Sequence, residues 1–202
     1  QQQVTPLDVL RDRVCESVRR QLISDRPVGL FLSGGWDSTV VAWAARTVSP
    51  ATPFHSYTVR FAHQTNDPKF NQDADIARIT AHSFGLHHQE VLLQGTEVAE
   101  RALEIAYSLD QPNANHSVYA LSAAAQRASQ DVSVILSGDG GDELFGGYER
   151  YKYARRFGAW LHLPFSLRQS LVEMTKSVPW VQAHMDQLLA KNVQEFFCSF
   201  HA

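Results

Sequence analysis

The residues whose chemistry stands out first form a short loop after an apolar run. Residues 28–32 are apolar or glycine, and the hexapeptide Ser-Gly-Gly-Trp-Asp-Ser follows directly at 33–38. This order predicts a buried strand, a tight loop and a helix that begins near Ser38. Two adjacent glycines let the backbone turn sharply and approach a ligand closely. The N–H groups of such a loop and of the first helical turn converge on one point, which suits a phosphate group.

This loop differs from two common phosphate-binding motifs. No lysine follows its glycines, so it lacks the Gly-Lys-Ser/Thr ending of a Walker-type loop, and it has no Gly-x-Gly-x-x-Gly pattern. The simplest alternative is a plain glycine turn between a strand and a helix. Two hydroxyls, two glycines and an acid at the end of a buried strand favour a phosphate-binding loop instead.

A second glycine-rich segment lies about a hundred residues further on, at 137–148. It reads Ser-Gly-Asp-Gly-Gly-Asp-Glu-Leu-Phe-Gly-Gly-Tyr and follows a predicted strand at 132–136. Taken alone, it could be a solvated, flexible acidic loop. However, Asp139, Asp142 and Glu143 carry the hard oxygen ligands that Mg²⁺ prefers. The presence of both motifs at strand ends therefore favours one joint site.

The elements that position these loops alternate between helices and strands. Helices are predicted over 5–24, 38–47, 71–84, 96–109 (capped by Thr96) and 117–129, and strands over 28–32, 54–61, 87–93 and 132–136. The last strand is a continuous apolar run, which is typical of a parallel sheet covered on both faces. The alternation predicts an α/β fold with a doubly wound, mostly parallel sheet. In such sheets ligands bind beyond the carboxyl ends of the strands.

The sequence also predicts a division of the chain into two parts. Residues 1–150 would form the α/β domain, and residues 151–202 a helical extension without a further strand. Helices are predicted there over 151–161, 165–177, 181–190 and 193–200. The last of them is apolar and has no cap, so we expect a truncated helical region and a chain that is a fragment of a longer protein.

Composition narrows the class of protein. The chain has 202 residues, of which 44% are hydrophobic and 19% charged, as in ordinary globular domains. A net charge of −3 gives no general attraction to nucleic acid or to anionic membranes. Cys15 and Cys198 form no disulfide or zinc pattern and fit a reducing compartment. Since no apolar run is long enough to span a bilayer, we expect a cytoplasmic protein with no nucleic-acid or membrane partner.

Together, the two motifs resemble those of the synthetase domain of the glutamine-dependent asparagine synthetases. Ser-Gly-Gly-x-Asp-Ser is similar to the pyrophosphate loop of the N-type ATP pyrophosphatases, and the segment at 137–148 is similar to the second signature of the asparagine synthetases. The likeness covers about residues 7–153. It implies an adenine nucleotide alpha hydrolase-like fold with ATP and Mg²⁺ as cofactors.

The reaction that this resemblance implies is the AMP-forming synthesis of an amide. A small-molecule carboxylate, aspartate or a relative, would attack the α-phosphorus of ATP and release pyrophosphate. Ammonia derived from glutamine would then displace AMP. The family's glutaminase domain begins with a catalytic cysteine, whereas this chain begins with Gln1 and Cys15 is predicted to lie in the core. We therefore expect the glutaminase domain to be absent from this chain.

The resemblance also assigns the nucleotide contacts position by position. Leu32 and Val59, predicted at the ends of the first two strands, would contact the adenosine. Ser137 and Gly138 would also lie against the nucleotide. The residues that would hold the pyrophosphate all belong to the first loop, and they are Ser33, Gly34, Gly35, Asp37 and Ser38.

Three carboxylates are given metal or catalytic roles by the same likeness. Asp37 and Asp142 would bind Mg²⁺, and Asp139 and Asp142 would be catalytic. Asp139 stands where asparagine synthetases usually carry Glu, so its shorter reach bears on the choice of substrate. Lys152 is predicted to be a surface residue, because the lysine that supports the adenylate in the family comes later in the chain.

Three other functions remain open at this stage. An adenylate-forming cyclase of the β-lactam synthetase or lasso-peptide type has the same kind of domain, and a non-catalytic nucleotide-binding fragment would retain both loops. A tRNA-modifying or sulfur-transferring pyrophosphatase is disfavoured by the acidic balance and by the lack of paired cysteines. The oligomeric state is left open by the sequence, a homodimer included.

Overall fold

The computed structural model describes residues 6–62, 71–110, 115 and 117–198. The chain forms two compact units, Gln1–Asp139 and Gly140–Ala202. The first unit contains the sheet and therefore the part of the fold that positions the first loop. The sequence-based boundary at residue 150 divides the chain by type of secondary structure and stays a prediction.

The first unit is built on four parallel strands. They are β1 (Val28–Phe31), β2 (His55–Phe61), β3 (His87–Leu93) and β4 (Val134–Leu136), in the spatial order β3-β2-β1-β4. The chain thus proceeds outward from β1 to β3 and then returns to place β4 on the other side of β1. This reversal is a topological switch point, where open α/β sheets form a crevice beyond the carboxyl ends of their strands.

Helices cover both faces of this sheet. The first unit contains α1 (Leu7–Gln21), α2 (Trp36–Val48), α3 (Gln72–Ser83), α4 (Gly95–Ser108) and α5 (Ser117–Ala128). On one face, Leu30 and Leu32 pack in a core with α1, α2 and α3, and this core includes Cys15. On the other face, Tyr57 packs with Ala128 of α5. The predicted doubly wound α/β fold is therefore confirmed.

Local details of two helices differ from the sequence-based expectation. The sequence predicts an apolar stripe of Ala74, Ile76, Ala77 and Ile79 on α3. In the structure, however, Ile76 and Ile79 are 38% and 64% exposed. Only alanines are buried on this helix (Ala74, Ala77 and Ala81). Small side chains let the helix lie close to the sheet, so the isoleucines point outward. Helix α4 is capped by Gln94 rather than by Thr96, and the Gln94 N–H donates to Glu97 Oε2 at 3.1 Å.

A buried tyrosine anchors the sheet to the end of α5. The Tyr57 hydroxyl donates to Asp131 Oδ2 at 2.9 Å, and this oxygen also accepts hydrogen bonds from Gln89 at 2.9 Å and Arg127 at 2.8 Å. The hydrogen bond from Tyr57, with those from Gln89 and Arg127, holds the pKa of Asp131 below its ordinary value. Burial, together with the bond to Asp131, raises the pKa of Tyr57 to about 12.

We expect Tyr57→Phe to lower the free energy of unfolding by about 2 kcal/mol at neutral pH, the value of a hydrogen bond to a charged group. The pKa of Tyr57 is higher in the folded chain than its ordinary value of 10.0. The contribution of this hydrogen bond to the free energy of unfolding is therefore complete below pH 10. It is lost as the pH rises toward about 12. Denaturant titrations of wild type and variant over this range measure the difference. Tyr107→Phe, at a position 89% exposed, should change nothing, and a constant difference across the alkaline range would contradict the assignment.

Over its described residues, the second unit consists of helices and the turns that connect them. It comprises α6 (Gly141–Phe145), α7 (Glu149–Leu161), α8 (Phe165–Thr175), α9 (Pro179–Ala183), α10 (Met185–Leu189) and α11 (Val193–Cys198). Val172, Val181 and Leu188 form its core. Arg168 is buried among them, and its guanidinium donates to the carbonyl of Ala190 at 2.7 Å. Within the described part of the chain, no helix combines the length and apolarity needed to cross a membrane.

Candidate functional site

The first loop turns sharply immediately after β1. The Leu32 N–H donates to the carbonyl of Tyr57 at 2.9 Å, so sheet pairing continues one residue beyond β1. The chain then passes through Gly34 at φ +78°, a left-handed conformation that side chains disfavour. A Cβ at Gly34 would lie 2.9 Å from the Cα of Asp73 in α3 and closer still to its carbonyl oxygen. Both the turn and its packing therefore require glycine here.

Two serines hold the loop in shape from within. The Ser33 N–H donates to Ser38 Oγ at 3.2 Å, and the two hydroxyl oxygens lie 3.0 Å apart. The Ser38 hydroxyl in turn donates to the carbonyl of Gly35 at 3.1 Å. Ser38 is 4% exposed, whereas Ser33 is exposed. Ser38 therefore braces the loop internally, and Ser33 lies at its surface.

Helix α2 begins at Trp36, two residues before the predicted start at Ser38. Its first intrahelical bond runs from the Thr39 N–H to the carbonyl of Gly35 at 3.2 Å. The N–H groups of the three preceding residues have no intrahelical acceptor by geometry, and Gly35, the N-cap, has no side chain to cap them. The positive end of the helix dipole adds to their attraction for an anion. Asp37 lies in this first turn.

The second motif meets the first at a glycine. Leu30 and Leu136 are register partners in the parallel pair β1 and β4, so the segments after both strands leave the same edge of the sheet. A Cβ at Gly138 would lie 2.6 Å from the backbone nitrogen of Ser38 and 2.9 Å from the Cβ of Asp37. Residues a hundred positions apart are thus in direct contact at the switch point.

Ser137 and Asp139 flank this contact. The Ser137 hydroxyl donates to Asp139 Oδ2 at 2.8 Å, and both residues belong to the first unit. This bond fixes one carboxylate oxygen of Asp139 and leaves the other for a further partner. The structure therefore brings Gly138 against Asp37 and Ser38, with Ser137 and Asp139 as its chain neighbours. The roles of these residues stay predictions.

The two adenosine positions differ in their surroundings. Strand β2 ends at Phe61 as predicted, and Val59 lies two residues before this end, paired with Val91. In the parallel pair of β1 and β2, Phe31 at the end of β1 is the register partner of Tyr57. Val59 therefore lies two residues beyond the end of β1. Leu32 is 2% exposed and its side chain packs in the core. Their contact with adenosine stays a prediction.

The remaining acids of the second motif lie in a short helix that the sequence did not indicate. Helix α6 follows Gly140 (φ +90°) and ends at Gly146 (φ +69°). The Asp142 carboxylate lies against Gly147, where an added Cβ would be 3.0 Å from its Cγ and would overlap one oxygen. Glu143 accepts a hydrogen bond from the Tyr148 hydroxyl at 2.7 Å. Asp142 and Glu143 are therefore held by the glycine-rich turn that follows them.

Magnesium binding by Asp37 and Asp142 also stays a prediction. Over residues 6–62, 71–110, 115 and 117–198, no group of three or more His, Cys, Asp or Glu side chains is arranged to hold a metal ion. Mg²⁺ at phosphate-transfer sites usually takes one or two carboxylates and completes its shell with substrate phosphates and water. A pair of aspartates fits that donor set without a third protein ligand.

Sequence reasoning missed the part that α3 plays at the site. The backbone of Asp73 packs against Gly34, although 38 intervening residues separate the two positions. Asn71, the N-cap position of α3, is the local signal that marks where this helix begins. It does not indicate which loop the helix end will meet, since that depends on strand order.

The fold and the contact of Gly138 with the first loop define a class: doubly wound α/β proteins with two glycine-rich motifs at the switch point of the sheet. A sequence model for the family described as Asparagine synthase matches residues 9–196. The chain belongs to this family, which confirms the resemblance seen in its motifs.

The chain is also similar to individual asparagine synthetases. The chain is 32% identical to glutamine-hydrolyzing asparagine synthetase 1 of Bacillus subtilis over 170 residues, which covers 84% of this chain and 26% of that protein. It is 30% identical to asparagine synthetase 3 of the same organism over 143 residues, or 66% of this chain and 23% of that protein. The chain therefore spans about a quarter of the length of these relatives. Among solved structures, the NH3-dependent NAD synthetase of Campylobacter jejuni superposes with a TM-score of 0.47 at 14% identity, covering 95% of this chain and 96% of that one.

Proposed function

We propose that this chain is the ATP-binding and adenylating part of an amide-forming, AMP-producing ligase of the asparagine synthetase type. The observation that carries the proposal is the approach of Gly138 to the first turn of α2, where a Cβ would lie 2.6 Å from the Ser38 nitrogen. This contact joins the two family motifs at the sheet edge where ligands of open α/β folds bind.

In the proposed reaction, the chain's main task is to hold the triphosphate in place. The backbone N–H groups at the start of α2 and the surface hydroxyl of Ser33 would bind the pyrophosphate portion of ATP. The loop is already shaped by its internal hydrogen bonds, so little reorganisation accompanies the reaction. Such preorganised donors are the main source of stabilisation where charge develops on transferred phosphorus.

The carboxylates would supply the remaining interactions. A carboxylate oxygen of the substrate, aspartate or a close relative, attacks the α-phosphorus, and the bond to the bridging oxygen breaks to release pyrophosphate. Ammonia then adds to the acyl carbon, AMP leaves and a proton is lost to solvent. Asp37 and Asp142 would hold Mg²⁺, which neutralises phosphate charge when bound. Asp139, oriented by Ser137, would face the acyl group and the incoming amine.

The proposal predicts that the chain binds ATP only in the presence of Mg²⁺. Asp37→Asn and Asp142→Asn should each weaken this binding about a hundredfold, because a charge contact to a metal is worth several kcal/mol. Isothermal titration calorimetry measures the affinity, and the emission of Trp36, which is 86% exposed beside the loop, provides an optical readout.

Asp12→Asn is the matched control, since Asp12 lies in α1 with a side chain 77% exposed. It should bind ATP as the wild type does. Unchanged Mg²⁺-dependent binding in Asp37→Asn would refute the metal role of that residue. Failure of the wild type to bind ATP with Mg²⁺ would refute the proposed function itself.

Pyrophosphate release on addition of aspartate and ammonium tests the choice of substrate.

A further inference from the structure

The junction between β2 and α3 is clamped by an asparagine side chain. The Phe61 N–H donates to Asn71 Oδ1 at 3.0 Å, and Asn71 Nδ2 donates to the carbonyl of Phe61 at 3.0 Å. The amide thus pairs with the end of β2 as a neighbouring strand would. Asparagine can do this because its amide carries both a donor and an acceptor.

A charged bridge holds the next turn of α3 to the same sheet. Arg60 donates through Nη2 to Asp75 Oδ1 in α3 at 2.7 Å and through Nε to Glu90 Oε2 in β3 at 2.5 Å. Its side chain is 23% exposed, so water screens these contacts only in part. The hydrogen bonds from Arg60 hold the pKa values of Asp75 and Glu90 below their ordinary values. The bridge therefore stays ionised through the neutral range.

These two attachments enclose the residue that touches the first loop. Asp73 lies between Asn71 and Asp75, and its backbone occupies the space that a Cβ at Gly34 would need. Closely packed backbones shift together, because a packed interior has no free volume to absorb a displacement. A movement of the start of α3 is therefore transmitted to Gly34.

We propose that Asn71 and Arg60 are positioning residues for nucleotide binding, which act by holding the Asp73 backbone against Gly34 and so keep residues 33–38 in the conformation that receives the pyrophosphate. The proposal rests on the proposed function of the first loop. Neither side chain is assigned a contact with ATP, since both act through α3. A purely structural role would instead lower the stability of the fold and leave the affinity of the folded protein for ATP unchanged.

The test measures ATP affinity, the hydrogen exchange of residues 33–38 and the free energy of unfolding in the same variants. Asn71→Ala removes both bonds to Phe61, and Arg60→Lys keeps the charge but loses the two-pronged geometry. Each should weaken ATP binding in the presence of Mg²⁺ about tenfold, within the range for couplings carried through packed elements. Both should also speed hydrogen exchange of the N–H groups at 33–38. Tyr57→Phe is the control, because it loses a part-buried hydrogen bond on the other face of the sheet. It should lower stability but change neither ATP affinity nor the hydrogen exchange of residues 33–38.

The outcomes separate this inference from the function on which it rests. Absence of ATP binding in the wild type would refute the proposed function, and loop exchange would still test the coupling between α3 and Gly34. ATP affinity within about twofold of wild type in both variants, with unchanged loop exchange, would overturn the positioning role. If Asn71→Ala does not fold, Arg60→Lys decides the question by the same two measurements.

Discussion

Gly138→Ala is expected to abolish high-affinity ATP binding while leaving the chain folded. The added methyl group would lie 2.6 Å from the Ser38 nitrogen and 2.9 Å from the Cβ of Asp37, and neither atom belongs to the end of a flexible side chain. The two loops must therefore separate, which displaces the first turn of α2. Misplaced N–H donors would lose hydrogen bonds to the charged phosphates, each worth about 1.5–3 kcal/mol. We therefore expect the affinity measured by calorimetry to fall by on the order of a hundredfold or more.

Gly95→Ala is the control for this substitution. A Cβ at Gly95 meets nothing within 4 Å, and the residue opens α4, so alanine should be accepted there with ATP affinity unchanged. If Gly138→Ala bound ATP as tightly as the wild type, contact between the loops would not matter for the nucleotide. The contact of Gly138 with the start of α2 would then no longer support the proposed function.

Gly34→Ala is expected to cause a large loss of stability. Its φ of +78° costs an alanine about 1–2 kcal/mol, and overlap with the Asp73 backbone adds about 1–3 kcal/mol. Together they should lower the midpoint of thermal unfolding by on the order of 10 °C for a chain of this size, as followed by circular dichroism.

Gly85→Ala separates the two causes of that loss. Gly85 has a similar φ of +62°, but the nearest atom to its Cβ position is the end of the Arg46 side chain at 3.8 Å. Its substitution should therefore show the conformational penalty alone. Equal shifts in the two variants would mean that the contact between Gly34 and α3 contributes nothing to stability. That result would also weaken the proposed positioning roles of Asn71 and Arg60.

Under the proposal, Asp37 and Asp142 would bind Mg²⁺, and the two residues belong to different helices. Asp37 is carried by the first turn of α2, whose position is set by Gly35 and the internal serines. Asp142 is carried by α6, a helix of only five residues bounded by glycines with positive φ. One carboxylate thus comes from the start of a helix of 13 residues and the other from a helix of 5 residues.

Much of the fold could be predicted because local sequence patterns indicate its helices and strands. The four strands have three to seven residues, and they coincide with segments rich in apolar, β-branched or aromatic residues. Strand β3 was predicted to the residue. The ends of helices were less certain, because capping depends on backbone geometry as well as residue type. Helix α2 accordingly starts at Trp36 instead of Ser38, and α4 is capped by Gln94.

Residue types and their spacing alone determined the α/β class, the two glycine-rich motifs, and the family to which the chain belongs. These depend on hydrophobic period, on glycine and on contiguous motifs, all of which act over a few neighbouring residues. Only the tertiary structure decided that β4 lies beside β1, that Gly138 touches the start of α2, and that α3 supports Gly34. Those contacts join residues far apart in the chain, so they depend on strand order and close packing, which no local pattern encodes.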